Sequence, residues 1–390
     1  MRFLQKIQAL LIRTPASGQY LRFIDGLRFL AILPVVLQHA NERLAKYGNI
    51  GELSTSEDFI SFLISRGTIG VFLFFAISGF VLTLPFAKQK GSFSYKQYLT
   101  KRLRRIEPPF LFWISIFALV LLVKATYGPG ELLLHYLATI TYTHQLFFQE
   151  YSWINPVAWS LEVEIQFYLA APFLAMAYFS FSSIGKRQVG LGLLILVWIF
   201  IQHFFGWQLY PWKASILGHF QHFLVGMLAA DLFVNPRKVQ LVSWAWDILP
   251  IPLAFGLAFT WTDELGKTLL FELLLLLLLV ASWNGRFFKQ FLSLSWIAII
   301  GGMCYTTYLT HLPLMEALYS FIGDFGHSTG YLGQLSISLI LVLPMILFSS
   351  IVFYRWIEQP FMKPSKTENK KEVSSLGVGQ LTKTMQTIKS

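Results

Sequence analysis

The chain has 390 residues, of which 55% are hydrophobic, 17% aromatic and 13% charged, and its net charge is +11. Soluble domains run at roughly 45–50% apolar and about 25% charged residues, so a soluble multidomain protein, a disordered chain and a collagen-like repeat are excluded. The single cysteine, Cys304, excludes an internal disulfide and a Cys-based zinc site.

A polytopic membrane protein remains, in which lysines and arginines report topology and contact with anionic headgroups or phosphates before nucleic acid. Residues 1–22 carry Arg2, Lys6, Arg13 and Arg22, with Phe3, Leu4, Ile7, Leu10 and Leu11 at helical spacing. This pattern predicts a basic amphipathic helix on the inner surface, with no cleavable signal and the first span as an uncleaved anchor. A span needs about 20 mainly apolar residues. Such runs lie near 23–45, 68–87, 108–124, 156–180, 189–206, 216–234, 243–262, 267–283, 295–318 and 332–354. A further run, 131–149, is weaker because His135, His144 and Gln145 interrupt it. If it dips into the membrane and returns, 24 of the 31 Lys and Arg fall on inner segments and six outside, with Arg28 inside a helix. Lys186-Arg187, Arg237-Lys238 and Arg286 with Lys289 then all lie on inner turns. The expectation is an all-α integral membrane protein, a bundle of about ten transmembrane helices with both termini inside and a re-entrant segment near 131–149. Its parts are the inner segment 1–22, a transmembrane domain 23–362 and a polar, lysine-rich, disordered cytoplasmic tail 363–390 with no appended catalytic domain. No internal repeat is visible.

Ionisable groups inside spans are costly, so each is a functional candidate. Asp25 and Arg28 are three residues apart and pair on one helical face. Arg28 and His39 are eleven apart, about 16 Å along the axis on the same face, so an extended ligand in that groove touches both. The plain alternative is a snorkelling arginine and a packing histidine. Gly70, Ser78 and Gly79 lie in one aromatic helix, where small residues allow close helix approach. Residues 88–105 hold seven Lys or Arg. Arg102 and Arg105 share a face just before Pro108, suited either to anchoring the inner boundary or to clamping a polyphosphate. In Trp159-Ser-Leu-Glu162-Val-Glu164 the carboxylates point to nearly opposite faces, so at most one faces a functional cavity. His219 and His222 are three apart, but no spacing supplies a third metal ligand; packing or acceptor binding is favoured and no metal is expected. Cys304, Tyr308 and His311 follow at helical spacing. A lone buried cysteine is usually a small hydrophobe rather than an acylated thiol.

Taken in order, these segments resemble the acyltransferase family 3 of bacterial integral-membrane enzymes. The resemblance rests on Asp25-Gly-Leu-Arg28 with His39, on Gly70-Val-Phe-Leu-Phe-Phe-Ala-Ile-Ser78-Gly79-Phe80, and on Arg102-Leu-Arg-Arg105-Ile-Glu-Pro. It continues through Trp159-Ser-Leu-Glu-Val-Glu164-Ile-Gln-Phe-Tyr, Tyr305-Thr-Thr-Tyr-Leu-Thr-His311 and Ile357-Glu358-Gln-Pro360-Phe. It implies transfer of an acyl group, usually acetyl, from acyl-CoA to a hydroxyl. The acceptor is commonly a sugar of lipopolysaccharide, exopolysaccharide, peptidoglycan or a glycosylated natural product. The implied setting is the bacterial cytoplasmic (inner) membrane, with acetyl-CoA as donor substrate, no tightly bound cofactor, a carbohydrate or glycoconjugate acceptor, and membrane lipid but no nucleic acid as partners. Glu162 and Cys304 depart from the family pattern, which places small or uncharged residues at the first position and small ones at the second.

The chemistry asks for matching parts. A thioester is already activated, so the enzyme must deprotonate an alcohol, position it and stabilise an oxyanion. His39 is the expected base, with Glu164 orienting its ring or holding the acceptor. Arg102 and Arg105 suit the CoA phosphates, and the pantetheine arm runs up the bundle past Arg28. Asp25, Ser78, Trp159, Tyr308 and His311 are the supporting candidates. A transporter or flippase for a glycan or lipid-linked sugar is the runner-up, weakened by the missing repeats and paired broken helices. A membrane sensor lacks a recognisable output domain.

Overall fold

The computed structural model describes Leu11 and residues 20–88, 93–236, 243–322 and 329–362. Most of the expected segment 1–22, the Arg237-Lys238 turn and the tail 363–390 lie outside the described residues. Within them every regular element is helical.

Helix α1 (Arg22–Tyr47) is followed by α2 (Thr55–Ser65), which opens on a capping box. The Ser54 hydroxyl accepts from the Glu57 N–H at 3.4 Å, and the Ser54 N–H donates to Glu57 Oε2 at 3.0 Å. Next come α3 (Ile69–Lys88) and α4 (Tyr95–Val123). Pro108 does not open a span as expected. Pro108 and Pro109 lie inside the 29-residue α4, which joins the basic stretch to the apolar one in a single helix. The weak run 131–149 folds as α5 (Pro129–Ile140) and α6 (His144–Phe148), separated by a turn in which Tyr142 takes a φ of 57°. Twelve residues of helix rise about 18 Å, short of the ~30 Å hydrocarbon core. The two histidines that interrupt this run meet each other, while Gln145 Nε2 donates to the Pro211 carbonyl oxygen at 3.1 Å. His135 Nδ1 lies 2.8 Å from His144 Nε2, Thr139 and Ser152 hydroxyls are 2.8 Å apart, and the His135 ring stacks on Phe148 and Trp153.

The chain continues through α7 (Ala158–Phe179), α8 (Ile184–Phe204), α9 (Ile216–Val234), α10 (Ser243–Ile248), α11 (Pro250–Thr260) and α12 (Leu265–Asn284). Then follow α13 (Arg286–Leu292), α14 (Ser295–Gly302), α15 (Cys304–Ile322), α16 (Gly330–Phe353), a π-helical turn and α17 (Gln359–Met362). Among the described residues seven helical units are long and apolar enough to cross a membrane: α1, α2 with α3, α4, α8, α9, α12, and α16 with its extension to Met362. The other three expected spans fall short of that standard for visible reasons. Helix α7 carries Glu162, Glu164 and Gln166. The run 243–262 is interrupted where Pro250 opens α11, and 295–318 is interrupted at Met303, directly after Gly301-Gly302. Proline and paired small residues are ordinary causes of such breaks.

The centre is built by backbones in close approach. A Cβ at Gly79 of α3 would lie 2.1 Å from the Phe223 carbonyl oxygen of α9, and one at Gly226 of α9 would lie 1.9 Å from that of Ala76. A Cβ at Gly70 would meet the Ala31 carbonyl of α1 at 2.0 Å. These glycines bring α1, α3 and α9 together, since helices in lipid associate through close packing of small residues. Ser78, beside Gly79, turns the other way and meets a cavity.

Candidate active site

A cavity of about 100 Å³ opens between α1, α3, α4, α7 and α15. Arg28 comes from α1, Ser78 from α3, Arg102 and Arg105 from α4, Ser160, Glu164 and Tyr168 from α7, and Cys304, Tyr305 and Tyr308 from α15. Asp25, three residues before Arg28 and buried, pairs with its guanidinium and also accepts from the Tyr20 hydroxyl at 2.8 Å. Glu164 accepts from the Ser78 hydroxyl and from the Tyr168 hydroxyl, the latter at 2.6 Å one turn further along α7. The Ser160 and Tyr308 hydroxyls lie 2.7 Å apart.

Arg102 and Arg105 are different. Ion pairs among the described residues engage Arg28, Arg43, Lys46, Arg187 and Lys267, but neither of these two arginines. Arg102 lies 5.9 Å from the Tyr98 ring centroid. The cavity wall therefore holds three guanidinium groups against the single carboxylate of Glu164. A planar guanidinium grips phosphate at two points, so the wall is chemically matched to a polyphosphate.

His39 and His311 are not part of that wall. Their rings lie 5.2 Å apart, and the His311 ring is 5.8 Å from the Tyr308 ring. Tyr308 thus stands between the cavity and the histidine pair. His311 is fully buried, with Nδ1 facing the carbonyl oxygens of Thr307 at 3.0 Å and Tyr308 at 2.8 Å. Two acceptors there require Nδ1 to carry the proton, which leaves Nε2 as a lone pair, without a partner among the described residues. His39 Nδ1 lies 2.8 Å from Glu42 Oε2, one turn along α1. The expectation that Glu164 orients the His39 ring is therefore corrected: Glu42 occupies that place, and Glu164 is engaged by Ser78 and Tyr168. The shared groove expected for Arg28 and His39 is likewise divided, with Arg28 on the cavity wall and His39 beyond Tyr308.

Glu162 and Glu164 part as the helical period requires. Glu162 is buried beside a second, smaller polar cavity shared with His144, Gln145 and Trp159, and its carboxylate accepts from the Gln145 N–H at 3.2 Å. Trp159 belongs to that second cavity and packs edge-on against Phe75 rather than meeting the arginines. His222 lies 2.6 Å from Glu272 of α12, and the His219 ring stacks beside it. Among the described residues no three His, Cys, Asp or Glu side chains converge as a metal site.

Glu42 escaped the sequence reading, although it follows His39 at three-residue spacing. Ser160 and Tyr168 lie in the stretch from Trp159 that carries the resemblance, but neither was singled out as a site residue.

The described residues thus form an all-helical bundle in which several helices are long and apolar enough to cross a membrane, around an arginine-lined cavity. The model described as an acyltransferase domain matches residues 21–355, and the chain belongs to that acyltransferase family. The peptidoglycan O-acetyltransferase OatA of Listeria monocytogenes is 28% identical over 205 residues, covering 48% of this chain and 30% of that protein. The O-acetyltransferase OatA of Staphylococcus aureus is 23% identical over 381 residues, covering 89% of this chain and 58% of that protein. The chain thus spans less than two thirds of the length of these relatives. No solved structure matches it.

Proposed function

We propose that the chain is an integral-membrane O-acetyltransferase that moves an acetyl group from acetyl-CoA to a hydroxyl of a carbohydrate or glycoconjugate acceptor. Family membership supports acyl transfer, and relatives named for O-acetyl transfer, one of them to peptidoglycan, support the acetyl group and a surface glycan. The observation that carries the donor is the meeting of Arg28, Arg102 and Arg105 at one cavity, with the latter two outside every ion pair described above.

In this reading the bundle crosses the bacterial cytoplasmic membrane ten times, with both ends inside and 131–149 re-entrant. Helix α7 and the interrupted runs 243–262 and 295–318 complete the crossings. Arg102 and Arg105 take the CoA phosphates from the cytoplasmic side, and the pantetheine arm extends past Arg28 and Ser78 toward Tyr308. His39 Nε2 removes the proton from the acceptor hydroxyl as its oxygen attacks the thioester carbonyl. The tetrahedral oxyanion collapses, the C–S bond breaks, and the proton passes from His39 to the departing thiolate. Glu164, braced by Ser78 and Tyr168, holds an acceptor hydroxyl.

Arg102→Lys and Arg105→Lys retain charge but lose the planar fork. Acetyl-CoA affinity of the purified chain should fall about tenfold or more, for a lost charge-assisted bond of roughly 1.5–3 kcal/mol. Unchanged affinity in folded variants would reduce the pair to topological anchors. A glycan transporter is the competing reading, and the two interrupted segments are what favour it. It predicts no acetyl-CoA binding at all.

A further inference from the structure

On α1, residues 38, 39 and 42 bring an amide, an imidazole and a carboxylate within one turn of each other. His39 Nδ1 lies 2.8 Å from Glu42 Oε2, and Gln38 Nε2 donates to Glu42 Oε1 at 2.8 Å. The other end of the Gln38 amide is also fixed. Its Oε1 accepts from the Thr68 N–H at 2.6 Å and from the Thr68 hydroxyl at 2.9 Å, at the turn where α3 begins. Because the Thr68 N–H can only donate, the atom it meets must be the amide oxygen, and the NH₂ of Gln38 must face Glu42. Both carboxylate oxygens are thereby engaged, one by a histidine and one by an amide tied to a neighbouring helix.

We infer that Glu42 is a positioning residue for His39, braced by Gln38 and Thr68, and that it sets the imidazole with its proton on Nδ1 and its lone pair on Nε2. The inference rests on the reading of His39 as the base. The Glu42 side chain is 42% exposed, and an isolated pair at such exposure contributes little. The bracing changes this: a carboxylate already held at one oxygen by Gln38 loses less freedom when its other oxygen orients the ring. Once His39 has taken the acceptor proton on Nε2, the imidazolium faces an anion at its other nitrogen, the division of roles seen in acyl-transfer triads. The proton then leaves Nε2 for the CoA thiolate, so His39 and Glu42 end the cycle as they began. Glu42 itself exchanges no proton.

The test uses the purified full chain, acetyl-CoA as donor and a soluble chito-oligosaccharide or water as acceptor, with release of the CoA thiol as the readout. Glu42→Gln should lower turnover on the order of a hundredfold and leave acetyl-CoA affinity unchanged. Glu42→Asp should recover part of the rate, and Gln38→Leu, which keeps the carboxylate but loosens it, should cost only a few-fold. The deciding comparison is the double variant. If Glu42 acts through His39, adding Glu42→Gln to His39→Gln causes no further loss. Turnover within twofold of the parent in Glu42→Gln overturns the inference, as do losses that multiply in the double variant. Normal turnover in His39→Gln removes the base reading itself, whatever Glu42→Gln does, so the two failures are distinguishable.

Discussion

Two carboxylates on α7, two residues apart, show how much of this molecule is decided one side chain at a time. Glu164 faces the arginine cavity and is held by Ser78 and Tyr168. Glu162 faces the other way and accepts from the Gln145 N–H in the first turn of α6. The helical period alone separates the two faces, so this part was legible in the sequence. Which face held the cavity was not, because that depends on α3, α4 and α15 arriving from distant parts of the chain. Glu42 was passed over for a different reason: it stands near the C-terminal end of α1, where a charged residue needs no explanation. The task assigned to Glu162 is structural and has a measurable consequence. Glu162→Ala leaves a buried N–H without its acceptor, at a cost of about 1–3 kcal/mol. The thermal unfolding temperature in detergent should fall by several degrees while acetyl-CoA affinity holds. Intact stability with lost donor binding would place Glu162 in the donor site instead.

At the scale of elements, α3 combines two duties in adjacent residues. Gly79 lets α9 approach, and Ser78 reaches the cavity. The sequence showed small residues at close spacing but not which neighbour they admit, since the partner lies about 140 residues further along the chain. Gly226→Ala places a Cβ 1.9 Å from the Ala76 carbonyl oxygen, a backbone atom that no side-chain rotation can relieve. Overpacking typically costs 1–3 kcal/mol, so Gly226→Ala should lower the unfolding temperature and the folded yield. Gly190→Ala on α8, where a Cβ meets nothing within 4 Å, should be neutral. Equal behaviour of the two variants would contradict this packing. Apart from the start of α4, which lies at Tyr95 rather than near Pro108, the apolar runs located the long helices to within about five residues, while interruptions were read as continuous. Both had signals in plain view, Pro250 in one run and Gly301-Gly302 in the other. Run length outweighed them because a span was the expected object.

For the whole molecule, the helices that fall short of the spanning standard include two of the five that line the cavity. Helices α7 and α15 supply Ser160, Glu164, Tyr168, Tyr305 and Tyr308 to the cavity, and neither is among the seven apolar spans. A helix surrounded by other helices is released from the demand for an apolar surface, and polar residues inside a bundle mark pathways and sites. Composition therefore reveals the wall of such an enzyme more readily than its centre. Of the residues singled out by motif, Arg28, Ser78, Arg102, Arg105, Glu164 and Tyr308 line one cavity, while His39 and His311 form a neighbouring pair and Trp159 stands at another cavity. The proposed function makes this arrangement transfer acetyl groups from CoA with His39 as base. The direct measurement is ester formation on a carbohydrate acceptor from labelled acetyl-CoA by the full chain in lipid vesicles, compared with His39→Gln of equal acetyl-CoA affinity. Label should appear on the acceptor with the parent chain, and His39→Gln should lose about 10²–10⁴ in rate; near-normal transfer by His39→Gln would contradict the proposal.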